Sequence, residues 1–166
     1  NLSRSRYWGT PLPIWRNRDT REEICIGSVE ELYNEIEKAV AAGVMESNPL
    51  KDKGFVPGDM SQENYDKIDL HRPYVDHIKL VGESGAVLTR ELDLIDVWFD
   101  SGAMPYAQIH YPFENKEELD NGICFPADFI AEGVDQTRGW FFTLHAISTM
   151  VFDSVSYKAV ISNGLV

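Results

Sequence analysis

Apolar residues recur at helical spacing after Ser28, and this stretch is the clearest secondary-structure signal in the chain. The apolar positions are Val29, Leu32, Tyr33, Ile36, Ala39 and Val40. Ser28 followed by Glu31 forms a capping box, in which each side chain accepts a hydrogen bond from a free backbone N–H at the helix start. Gly43 stands where a left-handed residue commonly ends a helix. The pattern predicts an amphipathic helix over residues 28–43.

Two short apolar stretches, residues 77–81 and 86–90, flank a turn of sequence GESG. This arrangement predicts a β-hairpin whose glycines adopt positive φ. Residues 48–69 are rich in Pro, Gly, Lys and Asp, which favours a loop. Residues 7–15 contain two prolines and a glycine, so we predict extended, irregular chain there rather than helix.

The carboxyl-terminal part of the chain changes character. A short apolar strand is predicted at residues 128–131, a helix at 136–152 and a second strand at 157–162. The helix is apolar nearly all round, which predicts that it is buried and that His145 is a hydrogen-bonded core histidine. A strand, a helix and a strand at this spacing form a βαβ unit with parallel strands. We therefore predict an α/β fold.

Composition excludes several classes of protein. The 166 residues are 43% hydrophobic and 25% charged, as in ordinary globular proteins and unlike disordered or collagen-like chains. No apolar run reaches the ~18 residues of a membrane span, and no secretory leader opens the sequence. The two cysteines, Cys25 and Cys124, are too few for a disulfide scaffold. The low cysteine count favours a reducing, cytoplasmic location, and the lack of an apolar span predicts no membrane partner. The four histidines lack metal-ligand spacing, so we expect no metal site.

The net charge of −12 is unevenly distributed. Residues 1–21 contain five arginines and one aspartate, a net charge of +4, whereas residues 22–166 contain ten basic and 26 acidic side chains, a net charge of −16. An acidic body repels phosphate backbones, which excludes a general nucleic-acid binder. The arginine-rich segment is the one place suited to a nucleic acid. A locally basic surface strand explains the same charge equally well.

The segment EGVDQ, residues 132–136, follows the first strand of the βαβ unit. Ligands of open parallel sheets bind beyond the carboxyl ends of the strands. Gly133 permits close backbone approach, and the carboxylates of Glu132 and Asp135 suit ribose hydroxyls or an ammonium group better than a phosphate. The alternative is that Asp135 only caps the helix that follows.

A second dense segment, DVWFDSG at residues 96–102, places two aromatic side chains between aspartates. Trp98 could form the apolar wall of a ligand pocket, although a tryptophan in such a run is more often part of a core. Trp140 has the same two interpretations. No P-loop, dinucleotide fingerprint or hydrolase elbow is present, so these residues alone predict a nucleoside- or amino-acid-binding site and no reaction.

Three segments resemble class I aminoacyl-tRNA synthetases, and the second and third of them resemble the isoleucyl members in particular. They are SRSRYWGTPLPIW at residues 3–15, DVWFDSG at 96–102 and AEGVDQTRGWFF at 131–142. The last stretch, residues 157–166, is similar to the strand that precedes the Lys-Met-Ser-Lys-Ser loop of the family. The resemblance implies an internal part of a Rossmann-like catalytic domain, following the editing insertion and ending before that loop.

The resemblance also implies roles for individual residues. It implies that the adenylate is bound by Glu132, Gly133 and Asp135, and that Gln136 contacts its aminoacyl portion. It also implies that the isoleucine side chain lies between Trp98 and Trp140. Arg4 and Arg6 are candidate tRNA contacts. The implied partners are isoleucine, ATP with magnesium, tRNA(Ile) and the rest of a synthetase chain. No catalytic residue is assigned, because the His-x-Gly-His signature and the Lys-Met-Ser-Lys-Ser loop are absent from this sequence.

The resemblance further implies three parts. Residues 1–27 return from the editing insertion, residues 28–95 form a connective insertion and residues 96–166 form the second-half βαβ with the adenylate site. Many relatives carry Cys-x-x-Cys knuckles near Cys25 and near the turn at residues 82–85, so we expect a zinc-ribbon remnant without metal. The alternatives are a valyl or leucyl synthetase fragment, or a non-catalytic adaptor that binds tRNA or a nucleoside.

Overall fold

The computed structural model describes residues 3–164, which divide into two compact units, residues 3–95 and residues 96–164. The elements of the first unit are β1 (Ser3–Arg4), β2 (Ile14–Arg16), β3 (Glu23–Cys25), α1 (Val29–Ala41), α2 (Pro49–Asp52), α3 (Gln62–Tyr65), a 3-10 turn (Val75–His77), β4 (Lys79–Val81), β5 (Val87–Arg90) and β6 (Leu94–Ile95). Those of the second are α4 (Val97–Gly102), α5 (Met104–Ala107), α6 (Lys116–Asp120), β7 (Ala127–Gly133), a 3-10 segment (Val134–Arg138), α7 (Trp140–Phe152) and β8 (Tyr157–Asn163).

An antiparallel sheet with the strand order β3-β2-β5-β4 forms the framework of the first unit. Trp15 on the central strand β2 is almost fully buried, and its indole N–H donates to the Ile78 carbonyl at 2.8 Å. The buried apolar residues around it are Ile26, Leu32, Ile36, Leu50, Phe55, Val75, Ile78, Leu80 and Leu88. The core therefore joins α1 and the loop region to the sheet.

The helix α1 confirms the prediction from residues 28–43. The Ser28 hydroxyl accepts from the Glu31 N–H at 3.0 Å, as a capping box requires. The Glu31 carboxylate, however, accepts from the Gly27 N–H at 2.6 Å and thus extends the cap by one residue. Gly43 is in the left-handed region with φ of 74°. The predicted loop at 48–69 contains two short helices, α2 and α3, which begin at the side-chain caps Asn48 and Ser61.

The predicted hairpin is confirmed in the pairing of β4 with β5. Gly85 has φ of 83°, whereas Gly82 is not among the positive-φ residues, so only one of the two glycines needs its freedom for the turn.

The second unit contains the predicted parallel βαβ arrangement, with β7 and β8 paired in parallel on either side of α7 in sequence. The prediction that this helix is buried all round is wrong within the described residues. Phe141, Leu144 and Ile147 are buried, but Phe142 and Met150 are 63% and 76% exposed. The described sheet and α4 cover only part of the helix surface, so its other apolar positions meet solvent. His145 is exposed as well, which corrects its assignment to the core.

Asp76 pairs with two arginines of the first unit. Its carboxylate accepts from Arg72 Nε at 2.7 Å and from Arg90 Nε at 2.9 Å. Arg90 is 4% exposed, and its guanidinium also donates to the carbonyls of Leu12 and Asp93. Burial raises the pKa of the Asp76 carboxyl, but the hydrogen bonds and charges of both arginines together lower it by more, so the pKa lies below its ordinary value.

We expect Asp76→Asn to lower the free energy of unfolding by about 3–5 kcal/mol at neutral pH, because it leaves the Arg90 charge buried without a counter-charge. A carboxyl whose folded pKa is depressed stabilises the fold above its unfolded pKa of about 4, and this stabilisation is lost as the pH falls through the folded pKa. The deficit of the variant should therefore shrink in acid. Urea titrations followed by tryptophan fluorescence measure both effects.

The matched control is Asp128→Asn, which removes an ion pair to Lys158 in which the two side chains are 87% and 56% exposed. Its expected cost is about 0.5 kcal/mol or less. Equal stability losses for the two variants would contradict the role given to Asp76.

Candidate functional site

The segment at residues 132–136 occupies the carboxyl end of β7, as predicted. In the parallel register, Glu132 lies beside Ser162 and Gly133 beside Asn163. The Glu132 and Asp135 side chains are exposed, and Gln136 is half-buried. Ligands of open parallel sheets bind beyond the carboxyl ends of the strands, and the segment lies at such an end.

Asp135 folds back over Gly133. A Cβ at Gly133 would lie 2.5 Å from one Asp135 carboxylate oxygen, so the space beside this glycine is occupied by the carboxylate. The other Asp135 oxygen accepts a hydrogen bond from the Gln136 amide at 3.3 Å. Gly133 thus permits the acidic side chain to lie directly against the strand end. The sequence predicted that a ligand would approach the backbone here, but the Asp135 carboxylate occupies this space.

Gln136, rather than Asp135, caps the helix α7. Its side-chain oxygen accepts from the Trp140 backbone N–H at 2.8 Å. The alternative that Asp135 serves only as a helix cap is therefore wrong. The helix also begins later than predicted, because residues 134–138 form a 3-10 segment that ends at Gly139.

Gly139 is the point where three predicted site residues meet, and the sequence analysis missed it. A Cβ at this position would lie 2.6 Å from the Gln136 amide oxygen and 3.2 Å from the Trp98 ring. The residue is buried and immediately precedes Trp140. Its lack of a side chain lets the Trp98 indole approach the start of α7. A glycine directly before the first residue of an apolar helix was the available signal.

Trp98 and Trp140 are anchored differently. Asp96, which is 5% exposed, caps α4 by accepting from the Trp98 backbone N–H at 3.0 Å, while the Trp98 side chain remains 44% exposed. The half-buried Trp140 donates its indole N–H to the Ser101 carbonyl at 3.0 Å. The structure therefore brings Trp98, Gln136 and Trp140 together around Gly139, with one partly open indole surface.

The helix α4 reaches this position because Gly102 lets it approach α7 closely. A Cβ at Gly102 would lie 2.8 Å from the Ile147 side chain and 3.0 Å from the backbone of Thr143. The Ser-Gly pair that ends DVWFDSG thus serves helix packing through its glycine and orients Trp140 through the serine carbonyl.

A cavity of about 400 Å³ lies between α7 and β8 in the same unit. Its lining includes Thr137, Phe142, His145 and Ser162. Thr137 belongs to the 3-10 segment and Ser162 lies beside Glu132, so the cavity adjoins the strand edge that carries the predicted acids.

The candidate tRNA contacts lie in the first unit. Arg4 is half-buried and donates to the Ser3 carbonyl at 3.0 Å, whereas Arg6 is exposed. The backbone carbonyl of Arg6 accepts from Arg72 at 3.3 Å, which fixes the course of the chain at this point.

The place of the expected zinc-ribbon remnant is held together by a carboxylate. Glu22 accepts from the Ser84 N–H at 2.9 Å and from the Ser84 hydroxyl, which links the start of β3 to the hairpin turn. These hydrogen bonds lower the pKa of Glu22. In residues 3–164, no three His, Cys, Asp or Glu side chains lie close enough to hold a metal ion. The absence of zinc stays a prediction.

The helices among residues 3–164 are too short or too polar to cross a membrane.

The known proteins that this chain resembles in sequence are tRNA synthetases. The sequence model of the family described as tRNA synthetases class I (I, L, M and V) matches residues 1–166. Isoleucine–tRNA ligases of Bacteroides thetaiotaomicron and Porphyromonas gingivalis are 81% and 74% identical over the whole chain. The cytoplasmic isoleucine–tRNA ligase of Schizosaccharomyces pombe is 46% identical over 167 aligned residues. The chain spans only 13–14% of the length of these relatives.

A solved structure shares the fold. The LeuRS of Agrobacterium radiobacter K84, in a ternary complex with tRNA and LeuAMS, aligns with a TM-score of 0.53 at 17% identity. The alignment covers 99% of this chain and 19% of that chain. The α/β fold with its Rossmann-like βαβ unit is thereby confirmed. Since the family match covers every residue, the chain belongs to the class I tRNA synthetase family.

Proposed function

We propose that the chain is an internal part of an isoleucine–tRNA ligase and supplies a portion of its aminoacyl-adenylate pocket. The observation that carries the proposal is the convergence of Trp98, Gln136 and Trp140 on Gly139, next to the acidic end of β7. Relatives at 64–81% identity bear the isoleucine name, which favours isoleucine over valine or leucine.

The proposed reaction has two steps. The isoleucine carboxylate attacks the α-phosphate of ATP and releases pyrophosphate, and a ribose hydroxyl of tRNA(Ile) then attacks the adenylate carbonyl and releases AMP. We propose that the Glu132 and Asp135 carboxylates accept hydrogen bonds from the ribose of the adenylate, because their negative charge disfavours a phosphate at the same place. In the proposed reaction, ATP is a substrate and carries magnesium. None of the 166 residues is proposed as a ligand of that metal ion.

We propose that the exposed indole surface of Trp98 contacts the side chain of the amino acid. Trp98 presents an indole surface that is 44% exposed in this chain, and an aliphatic side chain packed on it loses contact with water. Gln136, already oriented by its hydrogen bond from the Trp140 N–H, has an amide N–H that can meet the aminoacyl group. The cytoplasmic location and the three-part division at residues 27 and 95 stay predictions.

We expect Trp98→Ala in the full-length enzyme to raise KM for isoleucine about 10- to 100-fold, because an apolar contact worth about 1.5–3 kcal/mol is lost. Isoleucine-dependent exchange of pyrophosphate into ATP measures the effect. Trp98→Phe is the matched control, since it keeps an aromatic surface, and should give a smaller rise. An unchanged KM in Trp98→Ala would contradict the pocket assignment.

We expect Glu132→Gln to lower kcat/KM for ATP in the same assay by about 10- to 100-fold, because a hydrogen bond to a charged acceptor contributes about 1.5–3 kcal/mol. Asp128→Asn is the control on the same strand. The Asp128 carboxylate pairs with Lys158 at 2.9 Å and its side chain is 87% exposed, so the change should leave kcat/KM within about twofold. Equal losses in both variants would count against a ribose contact.

We expect the isolated 166-residue chain to show no pyrophosphate exchange. The sequence lacks the two family signatures that stabilise the transferring phosphates, and electrostatic stabilisation of this kind is usually the largest catalytic contribution. Steady isoleucine-dependent exchange by the purified chain would contradict this expectation.

A further inference from the structure

The surface formed by Tyr7, Trp8, His71 and Arg72, here called the aromatic platform, is not used by the pocket described above. The rings of Trp8 and His71 stack with centroids 4.9 Å apart and planes 5° from parallel. Trp8 nevertheless remains 72% exposed, because the imidazole covers only one face of the indole. Tyr7 is 61% exposed, and the Arg72 guanidinium lies 5.3 Å from its ring centre.

The platform is held in place by hydrogen bonds. The Asp69 carboxylate contacts His71 Nδ1 at 2.9 Å and accepts from the His71 backbone N–H at 2.9 Å. Arg72 is fixed by Asp76 at 2.7 Å and donates to the Arg6 carbonyl at 3.3 Å. A ring surface that is ordered before binding loses little conformational freedom when a ligand arrives.

The charge around the platform differs from that of the rest of the chain. Tyr7 and Trp8 belong to the segment of residues 1–21, which has a net charge of +4, whereas His71 and Arg72 belong to residues 22–166, which carry −16. Asp76 offsets the charge of Arg72, whereas Arg6, which directly precedes Tyr7 in the sequence, has an exposed side chain. Flat aromatic faces beside arginines are the combination by which proteins bind single-stranded nucleic acids, with bases stacked on the rings and phosphates near the cations.

We propose that the aromatic platform stacks an unpaired base of RNA on the open face of Trp8, with Arg6 at an adjoining phosphate. This inference rests on the proposed function only in taking tRNA as the natural source of that RNA. Bases inside a duplex have both faces covered by neighbouring pairs, and only the two terminal pairs leave a face open, so the platform favours single strands over duplexes.

The test compares the affinity of the full-length protein for a short labelled single-stranded RNA and for a blunt RNA duplex with the same number of phosphates. Fluorescence anisotropy at fixed salt gives both dissociation constants. Trp8→Ala should weaken single-strand binding about 5- to 100-fold and change duplex binding by less than about twofold. Trp8→Phe should keep most of the affinity, and His71→Ala, which removes the support of the indole, should weaken it as well.

Phe113→Ala is the matched control. Phe113 is 46% exposed and lies beside a carboxylate-paired histidine, His110, but the two rings are tilted by 49° and the neighbouring residue is Glu114. Its RNA affinity should equal that of the unmodified protein. Equal single-strand affinities of Trp8→Ala and the unmodified protein overturn the proposal, as does failure of unlabelled tRNA to displace the labelled single strand.

Pyrophosphate exchange, measured in parallel on the unmodified protein, separates this inference from the proposed function. Absence of isoleucine-dependent exchange counts against the ligase and leaves the RNA result to stand by itself. If the unmodified protein catalyses isoleucine-dependent pyrophosphate exchange and Trp8→Ala binds RNA as tightly as the unmodified protein, the RNA-binding role of the aromatic platform is wrong and the proposed ligase function stands.

Discussion

The candidate pocket depends on one steric constraint, which is that residue 139 has no side chain. Gln136 and Trp98 both occupy the space that a Cβ would fill, and Trp140 follows directly as the first residue of α7. The close approach places an amide, an indole surface and the strand end of β7 in one compact unit. Because protein interiors are packed nearly as densely as crystals, even one added methyl group at this point must displace a neighbour.

A second constraint organises the first unit. Asp76 connects Arg72 and Arg90, and the two guanidinium groups donate to the backbone carbonyls of Arg6 and Leu12. The buried charge of Arg90 is tolerable because the Asp76 carboxylate and backbone carbonyls accept hydrogen bonds from its guanidinium, while Arg72 is only half-buried. The same network positions Arg72 beside Tyr7, so a structural ion pair also sets the geometry of an exposed aromatic surface.

The two proposed binding surfaces use opposite chemistry, in agreement with the uneven charge of the chain. Carboxylates at the end of β7 suit hydroxyl groups, while arginines near residue 6 suit phosphates. Glu22 shows a further use of a carboxylate. It links β3 to the hairpin turn by accepting two hydrogen bonds from Ser84.

The sequence by itself determined the local elements whose signals lie within a few residues. These are α1 with its Ser28 cap, the β4–β5 hairpin, the βαβ order and the acidic strand end, because periodicity and capping act over short distances. Tertiary structure alone decided that Gln136 rather than Asp135 caps α7, that Gly139 admits Trp98, and that Trp8 stacks on His71. Each of these depends on which distant surfaces pack together, as the 63-residue separation between Trp8 and His71 illustrates. The exposure of α7 follows the same rule, since an apolar sequence favours burial but only neighbouring elements can cover it.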